Sequence, residues 1–273
     1  MTTTPAASFK QVNHSVTKID AKQLALGKNS YVGDFAPPDA LIVKMLWSPH
    51  PHARIKSIDV SKAEKMPGVK AVLWHGNVPR NIHCTAGQGY PEPSPYDTFI
   101  FDTKVRYVGD RVAAVAAETP EQAEAALAKI KVDYELLTPV FTLDEAMAEG
   151  APVIHDEPEA CIPIPIPYEP KINLVAKVGC EAGDFEQGMK DADFTFDDTY
   201  ETPYAQHCPI EPYTSLAHID SSGRIVITTS TQVPFHCRRI VAQALGIPVQ
   251  KIRVIKPRIG GGFGSKQEIL LED

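Results

Sequence analysis

The chain has 273 residues, 43% of them hydrophobic and 22% charged, with a net charge of −7. The length exceeds a usual domain of about 100–200 residues, so two domains are expected, and the balance excludes a disordered tail, a coiled coil or a collagen-like chain. The acidic charge leaves no basic footprint for nucleic acid, the longest apolar run, Val112–Ala117, is too short to span a bilayer, and MTTTPAASFK does not have the pattern of a secretory signal.

Residues 1–40 read as an irregular arm ending in Phe35-Ala36-Pro37-Pro38. Ala40–Trp47 is an apolar run of strand length. After a turn-rich break at Pro49–Arg54, Ile55–Val60 alternates as a strand. Ser61 with Glu64 predicts a capped short helix, which Pro67-Gly68 ends. Val69–His75 is a further strand, and residues 76–98 form a long loop. Arg111–Ala117 reads as a buried strand. Thr119-Pro120-Glu121-Gln122 then combines an N-cap, a proline at the first helical position and a box partner three residues on. That helix runs to about Lys129. Ile130–Glu135 is a strand, and Thr142 with Glu145 starts a short helix ended by Gly150. Residues 40–150 are thus a small α+β unit.

Five prolines lie between 158 and 170, and IPIPIPYEP fits neither a helix nor a central strand. A stiff linker is expected over 158–172, with domains at 1–157 and 173–273. Beyond it, Asn173–Gly179, Phe194–Glu201, Ser215–Ile219 and Arg224–Thr229 read as strands, the last two joined as a hairpin by Ser221-Ser222-Gly223. Pro234–Leu245 is a helix with Gly246 as its C-terminal cap. Ile252–Lys256 is a strand leading into Gly260-Gly261-Gly262-Phe263-Gly264.

Cysteines stand at 84, 161, 180, 208 and 237. No C-x-x-C pair exists, which argues against an iron–sulfur cluster or structural zinc inside the chain. The odd, scattered set fits reduced thiols in a cytoplasmic protein.

The glycine loop carries the most information. It implies backbone brought close to something flat or charged. It is not a Walker loop, because Lys266 stands between Ser265 and Gln267, and a dinucleotide fingerprint from Gly260 would need glycine at 265. Gln206-His207-Cys208-Pro209-Ile210-Glu211-Pro212 sits between two strands; alone, His207 and Cys208 fit a half-buried structural pair. Ser230-Thr231-Gln232 places an amide donor and acceptor at a strand end. If the strands flanking the helix are parallel, Gln232 and the glycine loop open at one edge.

Together QHCPIEP, the segment from TSTQVPFHCRRI to GGGFGSKQE, and KVRYVGDRVAAVAAETPEQAEAALAKIKVDYE resemble the molybdenum-binding subunit of the xanthine dehydrogenase and aldehyde oxidoreductase family, most of all its bacterial xanthine dehydrogenase branch. The resemblance covers most of residues 20–273. It implies an α+β fold: a hammerhead domain, then the first part of a mixed α+β molybdopterin-binding domain. It implies hydroxylation of a carbon next to nitrogen or oxygen with oxygen from water, at a molybdenum–molybdopterin cofactor, of the cytosine dinucleotide form in bacteria.

By resemblance, Gln232 lies near the apical ligand of the metal. Phe263 and Gly264, with Gly262, form the loop whose amides approach the metal, with no side chain ligating it directly. Gln267 faces the substrate, where many purine-oxidising members carry glutamate. A purine is therefore the first expected substrate; an aldehyde or a nicotinate-like N-heterocycle remains open, as does a non-catalytic scaffold.

The family chain continues for hundreds of residues beyond this motif. The expectation is a split or truncated front half, with no catalytic residue assignable here: the general-base glutamate belongs to the C-terminal half. Expected partners are that half, an iron–sulfur subunit with [2Fe–2S] clusters and an FAD subunit. Ile269-Leu270-Leu271 is expected to begin an apolar docking element.

Overall fold

The computed structural model describes residues 14–28, 30–85, 89, 91 and 93–269. A short helix α1 (Ala21–Ala25) and a 3₁₀ turn precede the first sheet. The hammerhead part holds six strands: β1 (Ile42–Trp47), β2 (Ala53–Asp59), β3 (Val69–Trp74), β4 (Lys104–Val105), β5 (Arg111–Ala117) and β6 (Lys131–Leu136). They form two antiparallel sheets, in the orders β1-β5-β3 and β4-β2-β6.

The strand β5 is central because its residues are small and apolar enough to be covered on both faces. Helix α2 (Pro120–Leu127) follows it directly and packs back across β1 and β5. Its start is as the sequence predicts: Thr119 Oγ1 accepts the Gln122 N–H at 3.2 Å, and Gln122 Oε1 accepts the Thr119 N–H at 3.1 Å. The core between helix and sheet holds Val72, Val115, Ala117, Ala123 and Ala126. Each valine buried there contributes about 1.5–3 kcal/mol. Ala53, Ile55, Val105 and Val112 make a second core, beneath the β2 sheet.

One expectation fails in this half, and one strand goes beyond the expectations. Residues 61–65 form only turns, with one helix-like bond from the Glu64 N–H to Val60 O, because Ser61 instead donates its N–H back to the Asp59 carboxylate. The short strand β4 went unpredicted, since Lys104 reads as a surface residue. It is 3% exposed, and its ammonium donates to Val153 O, Ile154 O and Asp156 Oδ1 at 3.2, 2.6 and 2.9 Å.

After α3 (Leu143–Met147), the proline-rich stretch contains no helix or strand beyond isolated bridges from Tyr96 to Cys161 and from Glu169 to Leu174 and a 3₁₀ turn at Pro170–Ile172. Asn173, in the left-handed region at φ 57°, ties its far end back: its amide donates to Ala146 O and Pro152 O and accepts from Ile154 N.

The predicted strands at 173–179 and 194–201 do not form. The region holds α4 (Phe185–Asp191), capped by Asp184, and extended chain. The alternation of Phe194, Phe196 and Tyr200 has the period of a strand, but a strand needs a hydrogen-bonding neighbour. Among the described residues none pairs with it, and these rings are exposed.

The last sheet has the order β7-β8-β9, from β7 (Ser215–Ile219), β8 (Ile225–Thr229) and β9 (Ile252–Ile255). β7 and β8 form the predicted hairpin, while β8 and β9 run parallel, with Ile225 opposite Ile252 and Thr228 opposite Ile255. Helix α5 (Pro234–Leu245) connects them and buries Cys237, Val241 and Ala242 against Ile227 and Ile252. Gly246 ends it at φ 67°; a Cβ there would also stand 2.7 Å from the Asn81 amide, which donates to Ala244 O. That contact, Gln243 Nε2 to Ile82 O at 3.1 Å, and Ile269 N to Thr85 O at 2.8 Å join the sheet to the hammerhead part. Ile269 also packs against the α5 core; Leu270 and Leu271 lie outside the described residues.

Candidate cofactor site

Because β8 and β9 are parallel, their carboxyl ends open at one edge of the sheet, the place where ligands sit in such crossovers. Gln232 lies three residues past β8, and the glycine loop begins five residues past β9. The Gln232 N–H donates to Lys266 O at 2.7 Å, and Gln232 Oε1 accepts the Gly264 N–H at 3.2 Å. The expected convergence of Gln232 with Phe263 and Gly264 is therefore what the chain shows.

The glycines are dictated by this approach. A Cβ on Gly262 would stand 2.5 Å from Gln232 Oε1, and Gly264 sits at φ 96°. Phe263 is itself in the left-handed region at φ 52°, and the residue is 74% exposed. Non-glycine residues held there cost about 1–3 kcal/mol and cluster at functional sites. Gln267 is half-buried and donates its N–H to Gly264 O at 3.2 Å, so it belongs to the same turn. Ser265 ties that turn with its hydroxyl, which donates to Gly262 O at 2.7 Å.

His207 and Cys208 are not the half-buried pair expected of them: both are exposed, and Cys208 is strained at φ 46°. Their loop lies beside the glycine turn. His207 Nε2 is 4.0 Å from where a Gly264 Cβ would be, and Pro209 Cβ is 3.2 Å from a Gly261 Cβ.

Sequence reasoning missed Lys266. It is 0% exposed, and its ammonium donates to Glu211 Oε2 and Glu211 O, each at 3.0 Å. Glu211 Oε2 also accepts the Gly260 N–H at 2.7 Å. The signal available was a lone cation inside a glycine-rich loop. Glu268, by contrast, is exposed and borders a cavity of about 470 Å³ between the two parts, lined also by Trp47, Phe99, Asp102, Arg106 and His155. Among the described residues no group of His, Cys, Asp and Glu has a metal-holding arrangement, and no helix is long and apolar enough to cross a membrane.

The donor set fits a molybdenum–molybdopterin group. With Oε1 committed as an acceptor, the Gln232 carboxamide presents its Nε2 hydrogens as donors. The loop adds backbone amides beside this carboxamide, an approach that a Cβ at 262 would block. Such fixed dipoles suit an oxygen-bearing, negatively charged ligand.

Comparison with known proteins places both parts of the chain. Residues 26–138 match the a/b hammerhead domain of aldehyde oxidase and xanthine dehydrogenase, and residues 168–273 match the molybdopterin cofactor-binding domain. The chain belongs to the xanthine dehydrogenase and aldehyde oxidoreductase family of molybdenum-binding subunits, matching part of their length. It is 46% identical to the "Probable hypoxanthine oxidase XdhD" of Escherichia coli (strain K12), over 94% of this chain and 29% of that one. It is 32% identical to the nicotinate dehydrogenase large molybdopterin subunit of Eubacterium barkeri, over 97% and 57%. Among solved structures, the reconstituted CO dehydrogenase from Oligotropha carboxidovorans superposes with a TM-score of 0.76 at 29% identity, over 94% of this chain and 32% of that one. The chain thus spans between about a third and just over half the length of these relatives.

Proposed function

We propose that this chain is the front portion of a molybdenum hydroxylase that oxidises a purine, such as hypoxanthine or xanthine, with oxygen from water. The observation that carries the reading is the Gln232–Gly264 contact across the open edge of β8 and β9, with Gly262 kept bare beneath it. When bound, the molybdenum–molybdopterin group, in its cytosine dinucleotide form, supplies the two-electron redox centre. Gln232 and the backbone of Gly262, Phe263 and Gly264 hold it. Gln267 orients the substrate by hydrogen bonds; an amide has no proton to exchange in the working range, so it is neither acid nor base. The general base comes from the remainder of the subunit. Electrons leave through an iron–sulfur subunit with [2Fe–2S] clusters and an FAD subunit, in a cytoplasmic complex. The domain boundary lies in the proline-rich segment 158–172.

Hypoxanthine has the first claim as substrate because the 46% identical relative is named for it. A nicotinate-like N-heterocycle is the second reading. The neutral amide at Gln267 favours it, together with the nicotinate dehydrogenase relative. The test is metal analysis of the natively purified complex, followed by turnover of hypoxanthine, xanthine, nicotinate and an aldehyde in ¹⁸O-water. The expected result is bound molybdenum and a hydroxylated purine carrying ¹⁸O. A complex without molybdenum overturns the proposal, and turnover of nicotinate alone moves the assignment to the second reading.

A further inference from the structure

Lys266 and Glu211 are two opposite charges held away from water beside the glycine loop, and neither has a part in the function proposed above. Lys266 has no solvent-exposed surface. Two of its three donor hydrogens meet Glu211 Oε2 and Glu211 O at 3.0 Å each, and its ammonium lies 5.7 Å from the Tyr213 ring centroid. Removing an ammonium from water costs several kcal/mol unless it is paired and hydrogen-bonded. A neutral Met or Leu would fill the same volume without that cost, so what the pair adds is geometry.

That geometry is specific. Glu211 Oε2 receives the Lys266 ammonium and the Gly260 N–H together, at 3.0 and 2.7 Å. The Glu211 N–H donates in turn to Gly260 O at 3.2 Å. One carboxylate therefore holds both ends of the turn from 260 to 266. The turn between them carries Gly262, Phe263 and Gly264 at its apex. From its backbone oxygen, Lys266 also receives the Gln232 N–H at 2.7 Å. Of the residues assigned to the cofactor, Gln232 is one hydrogen bond from Lys266 and Gly264 is two. The pair also joins the loop to the His207–Pro209 segment, through Glu211.

We infer that Lys266 and Glu211 are positioning residues: their buried ion pair closes the glycine turn and sets where the Phe263–Gly264 backbone and Gln232 stand toward the cofactor. The inference rests on the reading of the glycine loop as the cofactor cradle.

The test uses the natively purified complex containing this chain, as wild type, as Lys266→Met and as the double variant Lys266→Met/Glu211→Gln. The single variant leaves a carboxylate buried without its partner and is expected to assemble poorly. The double variant removes both charges at nearly constant volume and is expected to assemble and melt like the wild type. Hydrogen exchange of the 260–267 amides should still rise about tenfold in it, the effect of losing about one net hydrogen bond, while exchange in 120–127 stays unchanged. Molybdenum content should fall about 10- to 100-fold, the usual effect of losing a group that orients a cofactor's contacts, or the Mo(V) electron paramagnetic resonance signal should shift.

Unchanged exchange at 260–267 in the folded double variant would overturn the positioning role. Raised exchange with wild-type molybdenum content and an unaltered Mo(V) signal would overturn its connection to the cofactor. A wild-type complex without molybdenum would defeat the functional reading, while the exchange comparison would still decide whether the pair holds the turn.

Discussion

Three glycine-to-alanine substitutions test whether close approach, rather than chain flexibility, explains the glycines of the turn. At Gly262 the new Cβ would stand 2.5 Å from Gln232 Oε1 and 2.9 Å from its Cδ. Ordinary contact begins near about 3.5 Å, so the carboxamide must withdraw by about 1 Å. It lies at the end of a flexible side chain and can do so, but only by releasing the Gly264 N–H. The loss is one neutral hydrogen bond, about 0.5–1.5 kcal/mol, and an off-rotamer side chain, about 0.5–1.5 kcal/mol more. Gly260→Ala meets a different atom, Glu211 Cβ, at 2.6 Å. That atom is fixed to the backbone and cannot swing aside. Moving it draws the carboxylate off Lys266, and breaking a buried pair costs about 3–5 kcal/mol. Gly188, inside α4 with nothing within 4 Å of its Cβ position, is the control. Alanine there should stabilise by about 0.5–1 kcal/mol, since helical glycine is penalised by that amount. Urea midpoints at a shared slope give the comparison. The expected order of stability is Gly188→Ala, wild type, Gly262→Ala, Gly260→Ala. Equal losses at 260 and 262, or a neutral result at either, would refute the reasoning from close approach.

Thr119→Ala removes an N-cap whose box is fully formed, and should cost about 0.5–2 kcal/mol, read as a lower melting temperature with α2 frayed at its start. Burial pushes the Asp156 carboxyl up, but hydrogen bonds and charges from Lys104 and Arg54 outweigh it and hold the group at about 2. A depressed carboxylate adds stability above its unfolded pKa and loses it as pH falls through the folded one. The contribution should therefore be full above pH about 4 and vanish toward pH about 2. Asp156→Asn should flatten that limb of the urea midpoint against pH, and an unchanged limb would assign the acid loss to other groups. In the assembled enzyme, Gln267→Ala should raise KM about 10- to 100-fold, the effect of leaving a buried polar partner unpaired; loss of all turnover at normal molybdenum content would give Gln267 a chemical role.

Where local rules decide an element, the sequence was legible. The span Arg111–Ala117 was predicted to the residue, because a strand of small apolar residues bounded by charge has few other uses. Pro234–Leu245 was too, because Pro234 and Gly246 mark its ends. The parallel pairing of β8 and β9 stood in the sequence only as a condition, which the helix between them favours, since parallel neighbours need a crossover. Elements that depend on a distant partner were not legible. Residues 194–201 have strand periodicity without a strand beside them among the described residues. Lys104–Val105 forms a strand only because Ala53 and Arg54 lie opposite, and because Asp156 and two carbonyls accept the Lys104 ammonium.

The same distinction runs through the candidate site. Gln232 and the glycine turn were visible because glycine spacing records how close the backbone must come, and an amide at a strand end has limited uses. Lys266 and Glu211 are 55 residues apart in sequence. Nothing local distinguishes a buried lysine from a solvated one; burial is set by what covers it, here Tyr213, the Gln206–Pro212 segment and the turn itself. His207 and Cys208 were misread for the complementary reason. Their residue types favour burial, but the segment is held by Glu211 and Pro209, which leaves the two side chains outward. A glycine motif therefore locates a cradle in the sequence, while the groups that fix its shape become legible only once the fold has brought the charges together.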